Sequence, residues 1–203
     1  MLERKFLILN KLVTVIMPVY NEKKQWIVES VNSIIKQTYA NIEFIIICDS
    51  TDNQLKSFLQ EISKKGDNIK IIFNPRNLGL VNSLNRGINL ATGEFIARMD
   101  ADDVSLPERI ETEVKCINAE KVDLVFSEVN VINESGKLVS SIDKKNNLNE
   151  IQLNELFRYG NVSKHPTWLG RSELFKELMY RNVSYTEDMD FLLRGLQEGK
   201  KFF

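Results

Sequence analysis

Three carboxylates stand within four positions of the chain, at Asp100, Asp102 and Asp103, after a mostly apolar run over residues 95–99. Like charges this close repel one another and stay ionised only when a cation lies among them. Hard divalent cations such as Mg²⁺ take oxygen ligands and often share one or two carboxylates with substrate phosphates. The spacing therefore favours a cation–diphosphate site. A solvated acidic turn is the alternative, because Asp is common in turns.

The start of a helix follows this cluster in the sequence. Ser105 is suited to cap the helix, Pro107 to stand in its first turn and Glu108 to complete the capping pattern. Because the helix has a cap of its own, we expect the aspartates to remain in the loop between the preceding strand and this helix.

A second acidic pair, Glu187 and Asp188, lies near the C-terminus. Ser184 and Glu187 have the spacing of a capping box, and acidic residues in a first turn suit the helix dipole. A purely structural role is therefore one interpretation. The other is chemical, because a carboxylate that faces a cation–diphosphate site can take a proton from an attacking hydroxyl. These residues alone leave both interpretations open.

Composition narrows the class of protein. The 203 residues carry 27 basic and 28 acidic side chains, and a net charge of −1 gives no reason to expect a nucleic-acid partner. Two cysteines are too few for a disulfide framework, and Cys48 lies in an apolar run where a buried thiol is expected. Two cysteines with no disulfide framework predict that the protein works in a reducing, cytoplasmic compartment. The length predicts one domain over residues 1–203, and no apolar run approaches the length of a membrane span.

Familiar phosphate-binding and hydrolytic motifs are absent from the sequence. No G-x-G-x-x-G follows the first predicted strand and no G-x-x-x-x-G-K-[ST] occurs, so a diphosphate needs a metal or basic side chains to balance its charge. His165 is the only histidine, which argues against a Cys/His zinc site, and no G-x-S-x-G supports a Ser–His–Asp site. These absences favour a metal at Asp100 and Asp102.

Hydrophobic periodicity predicts strands that alternate with helices along most of the chain. The predicted strands cover residues 13–17 (where Pro18 ends the first), 42–48, 69–73, the run from 95, and 122–126. The predicted helices cover 26–37, 55–62, 80–88, the segment from 106, a segment through 153–157, and two more from about 172 and 186. Residues 129–132 and 138–142 are predicted to form a hairpin, and 162–169 an extended segment.

Alternating strands and helices predict an α/β fold with a mainly parallel sheet and helices on both faces. In such sheets, ligands bind beyond the carboxyl ends of the strands. The loops after the first, second and fourth strands carry residues 20–22, Asp49 and the three aspartates. We therefore expect these side chains to meet at one edge of the sheet.

Four short motifs occur in a fixed order from about residue 13 to the C-terminus. They are VIMPVYNE at 15–22; NLG at 77–79 with NRGI at 85–88 and ATGEFI at 91–96; MDADD at 99–103 followed by LPER at 106–109; and TED at 186–188. Together they resemble the inverting, nucleotide-sugar-dependent family 2 glycosyltransferases with a Rossmann-like GT-A fold. Members of that family assemble capsule, O-antigen and exopolysaccharide.

This resemblance assigns residues to the nucleoside. It implies that Pro18, Tyr20 and Glu22 line the nucleoside pocket, and that Asp49 hydrogen-bonds the uracil of a UDP-sugar. One departure bears on the last assignment. The family's acidic turn reads DDGSTD, whereas here Cys48 replaces one acid and the glycine is missing.

The resemblance also assigns the reaction centre. It implies that Asp100 and Ala101 contact the ribose or diphosphate, and that Asp102, together with Asp100, binds Mn²⁺ or Mg²⁺. Asp188 is then the general base that deprotonates the acceptor hydroxyl. Glu187 orients this base or the donor sugar.

The implied partners are a nucleotide-sugar donor and a saccharide or lipid-linked saccharide acceptor. The implied location is the cytoplasm, with association at the inner face of the membrane and the oligomeric state left open. His165, with Pro166 and Thr167, is similar to a His-x-Thr stretch near some family acceptor sites; fixing a turn is the alternative. The family often adds a metal-binding histidine beyond the E-D motif, and because the sequence stops at Phe203 we expect a C-terminally shortened domain.

Two other functions compete with this interpretation. A sugar-nucleotide pyrophosphorylase also places aspartates on a metal, but it needs a Gly-rich, basic loop after the first strand, and residues 18–22 are not such a loop. A non-catalytic nucleotide-sugar-binding module is the other, and the early C-terminus makes it reasonable.

Overall fold

The computed structural model describes residues 10–141, 163–184 and 186–203. Its strands are β1 (Val13–Val19), β2 (Ile42–Cys48), β3 (Ile69–Phe73), β4 (Phe95–Arg98), β5 (Leu124–Val125), β6 (Asn130–Ile132), β7 (Leu138–Ser141) and β8 (Leu169–Arg171). Its helices are α1 (Lys24–Ile35), α2 (Asn53–Ser63), α3 (Leu80–Leu90), α4 (Arg109–Glu120), α5 (Ser172–Leu178) and α6 (Glu187–Gln197), with a 3-10 turn at His165–Thr167.

Six strands form one sheet in the order β3-β2-β1-β4-β8-β5. Strands β1 to β4 run parallel, whereas β8 lies antiparallel between β4 and β5. Strands β6 and β7 make a separate antiparallel hairpin. The predicted α/β class, the mainly parallel sheet and the hairpin are therefore confirmed.

Helices cover both faces of the sheet. Apolar residues of α1, α2 and α4 pack with alternate strand residues such as Val15 and Phe44 in one core. Those of α3, α5 and α6 pack with the other set, including Ile16 and Ile45, in a second core. This alternation follows from the period of two in a strand, which sends neighbouring side chains to opposite faces. Cys48 is fully buried in the first core, as expected.

Strands β2 and β3 have the predicted bounds, but β1 does not end at Pro18. It continues to Val19, pairing with β2 through Cys48, while its pairing with β4 stops at Ile16. Proline is tolerated in a strand where its missing N–H faces no partner strand. Pro18 lies beyond the end of β4, so no ladder hydrogen bond is lost there.

The predicted start of α4 is wrong. The helix begins at Arg109, and Ser105 lies outside it, where its N–H donates to Ser33 Oγ. Gln37, at the end of the α1 segment, supplies the missing acceptor: its Oε1 accepts from Ile110 N at 3.0 Å. The loop that carries the aspartates is thus tied to α1, which the local sequence pattern does not reveal.

The segment predicted as extended over 162–169 instead contains the 3-10 turn. The strand that follows this turn, β8, pairs with β4 on one side and with β5 on the other. The helix predicted through residues 153–157 lies outside the described residues. Near the C-terminus, Phe202 forms a parallel bridge with Leu124, consistent with the start of a further strand. Within the described ranges, no helix has both the length and the apolarity to cross a membrane.

Candidate active site

The carboxyl ends of the parallel strands bring the predicted site residues to one edge of the sheet. Residues 20–22 follow β1, Asp49 follows β2 and the three aspartates follow β4. Since β1 pairs in parallel with both β2 and β4, these three loops leave the sheet on the same side. The predicted convergence is confirmed at this level.

The aspartates after β4 form one cluster. Carboxylate oxygens of Asp100, Asp102 and Asp103 lie within 4.8 Å of one another. The loop is fixed from below: Met99 N donates to Ile16 O at 3.1 Å, and Ser30 Oγ donates to Asp100 O at 2.9 Å. Three oxygen ligands at this spacing are the type of donor set that Mg²⁺ and Mn²⁺ prefer.

The cluster keeps an excess of negative charge. Desolvation of the Asp103 carboxyl and repulsion from Asp100 and Asp102 raise its pKa to about 6, against the lowering effect of Arg98 and Arg109. Because Asp103 is an exposed residue, we attribute its raised pKa mainly to repulsion from the two neighbouring carboxylates. A divalent cation would relieve this repulsion. The residues present therefore fit a metal site.

Arg98 lies directly beneath the cluster. The residue is 4% exposed, and its Nη1 lies 2.5 Å from Asp100 Oδ1. Arg109 supports the same strand end, since its Nη2 donates to the carbonyl of Arg98 at 2.9 Å, while its Nε pairs with Glu113. Arg98 is not among the residues predicted for the site, although a charged residue inside an apolar strand is itself a signal.

A cavity of about 660 Å³ extends from Asp102 and Asp103 of the cluster to Asp188 in the first turn of α6. Side chains more than 80 positions apart in the sequence thus share one cavity. Its other walls come from α1, the β6–β7 hairpin and the segment before β8, and include Trp26, Glu29, Asn130, Asn133, Lys164 and His165. An aromatic ring among amides and carboxylates is a suitable lining for a polar, ring-shaped molecule.

The acidic pair does not form the predicted capping box. Helix α6 begins at Glu187 with Thr186 as its N-cap, and the Thr186 side chain makes no capping hydrogen bond. Both acidic residues are partly buried. Asp188 Oδ1 accepts from Met189 N at 2.7 Å, and Asp188 also lines the cavity. The structural interpretation of this motif thus loses its main support.

His165 also faces the cavity. Its Nε2 lies 2.7 Å from the hydroxyl of Tyr180, and its ring centroid is 4.6 Å from that of Trp168. Burial and then the charge of Arg98 hold the pKa of His165 well below its usual range, so the ring is neutral at pH 7. His165 opens the 3-10 turn as well as lining the cavity, so both of its predicted roles stay predictions.

The residues assigned to the nucleoside follow the carboxyl ends of β1 and β2 at the same edge and are not among the residues that line the described cavity. Tyr20 is 46% exposed, and its N–H donates to Glu22 Oε2 at 2.7 Å, which closes the loop after β1. Pro18 is half-buried at the end of the strand. An exposed aromatic ring at the carboxyl end of β1 leaves room for a flat base, and the assignment stays a prediction.

Asp49 has a structural role that the sequence analysis missed. It is 5% exposed; its Oδ1 accepts from Asn74 Nδ2 at 2.6 Å and Leu78 N at 2.8 Å, and its Oδ2 accepts from Gly79 N at 2.8 Å. Gly79 has a φ of 81°, a conformation that favours glycine. The carboxylate thus holds the turn before α3. Contact with uracil remains a prediction and would have to use its remaining acceptor capacity.

Comparison with known proteins gives a family and a fold. The family model described as "Glycosyl transferase family 2" matches residues 14–179. An uncharacterised glycosyltransferase of Methanocaldococcus jannaschii is 35% identical over 94% of this chain and 67% of its own length. The O-antigen biosynthesis glycosyltransferase WbnJ of Escherichia coli is 30% identical over 92% of this chain and 72% of its own.

Solved structures share the fold. TarS of S. aureus, in a complex with UDP-GlcNAc, has a TM-score of 0.74 at 22% identity, over 95% of this chain and 56% of that one. The mannosyltransferase PcManGT of Pyrobaculum calidifontis, in complex with GDP-Man and Mn²⁺, has a TM-score of 0.73 at 18% identity, over 96% of this chain and 54% of that one. The chain therefore spans little more than half of these two solved chains, of which the TarS chain is residues 1–349, and 35% of a longer solved chain of TarS. From its matched family model, its relatives and its fold, the chain belongs to glycosyl transferase family 2, with a GT-A architecture.

Proposed function

We propose that this protein transfers a sugar from a nucleotide-sugar donor to a hydroxyl group of a saccharide or lipid-linked acceptor, with a divalent metal ion and with inversion at the anomeric carbon. The observation that carries the proposal is that Asp102 and Asp188 line one cavity. A metal site and a carboxylate base must flank the reacting carbon in such a reaction. If Asp102 and Asp188 lay on opposite sides of the molecule, this reaction would be excluded.

In this proposal each side chain has one task. Asp102, with Asp100 or Asp103 as the second carboxylate, would hold the cation, which would supply Lewis-acid stabilisation of the departing diphosphate. Asp188 takes the proton of the acceptor hydroxyl as its oxygen attacks the anomeric carbon. The bond from that carbon to the diphosphate oxygen breaks on the opposite face. Glu187 orients the base or the donor sugar. The order of events is that of an inverting displacement, with one base and no covalent intermediate.

The donor base and sugar are chosen by analogy. TarS is described with UDP-GlcNAc and PcManGT with GDP-Man, so both nucleotides are candidates, and we favour a UDP-sugar. The name of WbnJ supports a role in cell-surface polysaccharide synthesis. A cytoplasmic location at the inner face of the membrane follows from that role, and both cysteines, Cys48 and Cys116, are free thiols.

Two variants test the proposal. Calorimetry should show UDP or GDP binding that requires Mn²⁺ or Mg²⁺, and Asp102→Asn should abolish the metal requirement or the binding. Asp188→Asn should bind donor normally but lose about 10²–10⁴-fold in the rate of transfer, because the general base is gone. Equal nucleotide binding in EDTA would contradict the metal role.

The same assays separate the alternatives. A non-catalytic binding module would bind the nucleotide with metal but show neither transfer nor donor hydrolysis. Asp190→Asn is a matched control, because Asp190 lies in the same first turn of α6 but pairs with Arg194 at 2.8 Å and does not line the described cavity. Loss of transfer in this control as well would reduce Asp188 to a structural role.

A further inference from the structure

The positively charged side chain of Arg98 is buried in the fold. It lies at the end of β4 on the face of Ile96, opposite Phe95 and Ala97, and is 4% exposed. Its backbone N–H donates to Trp168 O at 2.8 Å. Burying a charge is expensive unless that charge is paired, so the position of Arg98 requires a reason.

The charge of Arg98 is directed at one carboxylate of the cluster. Nη1 lies 2.5 Å from Asp100 Oδ1, which makes an ion pair. Among the described residues, however, neither Nε nor Nη1 has an acceptor in hydrogen-bond geometry. The buried guanidinium and the Asp100 carboxylate are therefore held together by their opposite charges.

The neighbouring arginine cannot replace it. Arg109 directs its Nε to both oxygens of Glu113, at 3.1 and 3.2 Å, and its Nη2 to the carbonyl of Arg98. Its charge is thus already paired within α4. In the described part of the chain, Arg98 is the basic residue whose ion pair reaches the aspartate cluster.

We propose that Arg98 is a positioning residue that withholds Asp100 from the metal ion, so that Asp102 and Asp103 bind the cation and Asp100 stays free to accept hydrogen bonds from the sugar hydroxyls of the donor. This rests on the proposed function. All three carboxylates lie close enough to share one cation. An internal cation paired with Asp100 competes with the metal mainly for that one carboxylate, while its charge also acts on Asp103 from a greater distance.

The test is Arg98→Met, examined with two probes. Removal of the competing charge should tighten the binding of Mn²⁺ alone by about tenfold, measured by electron paramagnetic resonance. With Asp100 then drawn to the metal, binding of UDP to the Mn²⁺-loaded protein should weaken by about tenfold. These opposite signs are diagnostic, because a loop that is merely disordered would bind both ligands more weakly. Weakening of both, or a change in neither, would overturn the proposal.

A second pair of variants keeps the test valid if Arg98→Met folds poorly. In an Asp100→Asn background, Arg98→Met should change Mn²⁺ affinity by clearly less than the tenfold expected in the wild-type background, because the carboxylate that Arg98 withholds is gone. Arg98→Lys keeps the positive charge, so its affinities for Mn²⁺ and for UDP should lie between those of Arg98→Met and those of the wild type. An effect of equal size in both backgrounds would show that Arg98 does not act through Asp100.

Lys70→Met is the control for loss of a positive charge elsewhere. Lys70 pairs with Glu43 near the starts of β3 and β2, at the opposite edge of the sheet, and both affinities should stay unchanged. Failure of the wild type to bind UDP or GDP with Mn²⁺ would refute the proposed function, while the Mn²⁺ measurements would still decide the role of Arg98. No Mn²⁺ binding to the wild type would overturn both.

Discussion

Replacing Asp49 by alanine separates a residue that builds the site from one that only recognises a base. In the structure its carboxylate accepts three hydrogen bonds, from Asn74, Leu78 and Gly79, at 2.6 to 2.8 Å. It does so at 5% exposure, where water cannot replace it. Asp49→Ala would remove all three of these hydrogen bonds and leave the Leu78 N–H without an acceptor, while Gly79 N keeps Asn77 Oδ1 at 3.0 Å and Asn74 Nδ2 keeps Ser83 Oγ at 2.9 Å.

The size of the loss follows from these contacts. A hydrogen bond to a charged group contributes about 1.5–3 kcal/mol net, and a buried donor left unpaired costs about 1–3 kcal/mol. Such terms are not additive, because the turn can relax, so we expect Asp49→Ala to lower the free energy of unfolding by about 3–5 kcal/mol. At a slope of about 2 kcal/mol per molar urea, the unfolding midpoint falls by about 2 M.

The assay is urea unfolding followed by circular dichroism, with Asp52→Ala as control. Asp52 lies in the same loop and caps α2 through Gln54 N at 2.9 Å, but it is exposed. Loss of such a cap costs about 1 kcal/mol. If Asp49→Ala unfolds at the same urea concentration as Asp52→Ala and only loses affinity for UDP, the structural reasoning is refuted and base recognition is the main role of Asp49.

Two further predictions concern the scaffold. Burial raises the pKa of Glu43, but hydrogen bonds from Lys70, Thr14 and Thr92 outweigh this and bring it to about 2, below the usual 4.5. A carboxylate whose pKa is lower in the folded than in the unfolded protein stabilises the fold at pH values above its unfolded pKa, and this stabilisation is lost as the pH falls. Glu43→Gln should therefore lower the free energy of unfolding by about 2 kcal/mol at pH 7 and by progressively less between about pH 5 and pH 2. Urea unfolding at each pH measures this difference. Gln37→Ala should cost about 2 kcal/mol, because Gln37 accepts from Ile110 N and donates to Leu106 O; no change in thermal melting would contradict this.

Local patterns were sufficient for most of the secondary structure. The mostly apolar runs over 42–48 and 69–73 predicted β2 and β3 to the residue, because a parallel strand covered by helices carries mainly apolar side chains. The errors came where a distant residue intervened. Pro18 stayed in β1 because β4 ends before it, and Ser105 lost the capping role to Gln37 because α1 packs beside the loop.

Within the candidate site, sequence and structure answered different questions. The sequence identified the carboxylates at Asp100, Asp102 and Asp188, since acidic residues at strand ends and helix starts are visible in one dimension. It assigned Asp49 to a ligand, whereas the structure shows that most of its acceptor capacity holds the turn at Leu78 and Gly79. Such commitments are invisible before folding, because their donors come from another loop.

The sequence by itself determined the alternation of strands and helices, and with it the edge of the sheet where the acidic loops gather. Direction in a parallel sheet is a property of the chain, so which loops share an edge is fixed once the strands are known. Only the tertiary structure decided that Asp102 and Asp188 share one cavity and that a buried Arg98 lies against Asp100. Distances between side chains so far apart in the chain depend on how β8 and α6 pack against the sheet, and packing is set by the whole core.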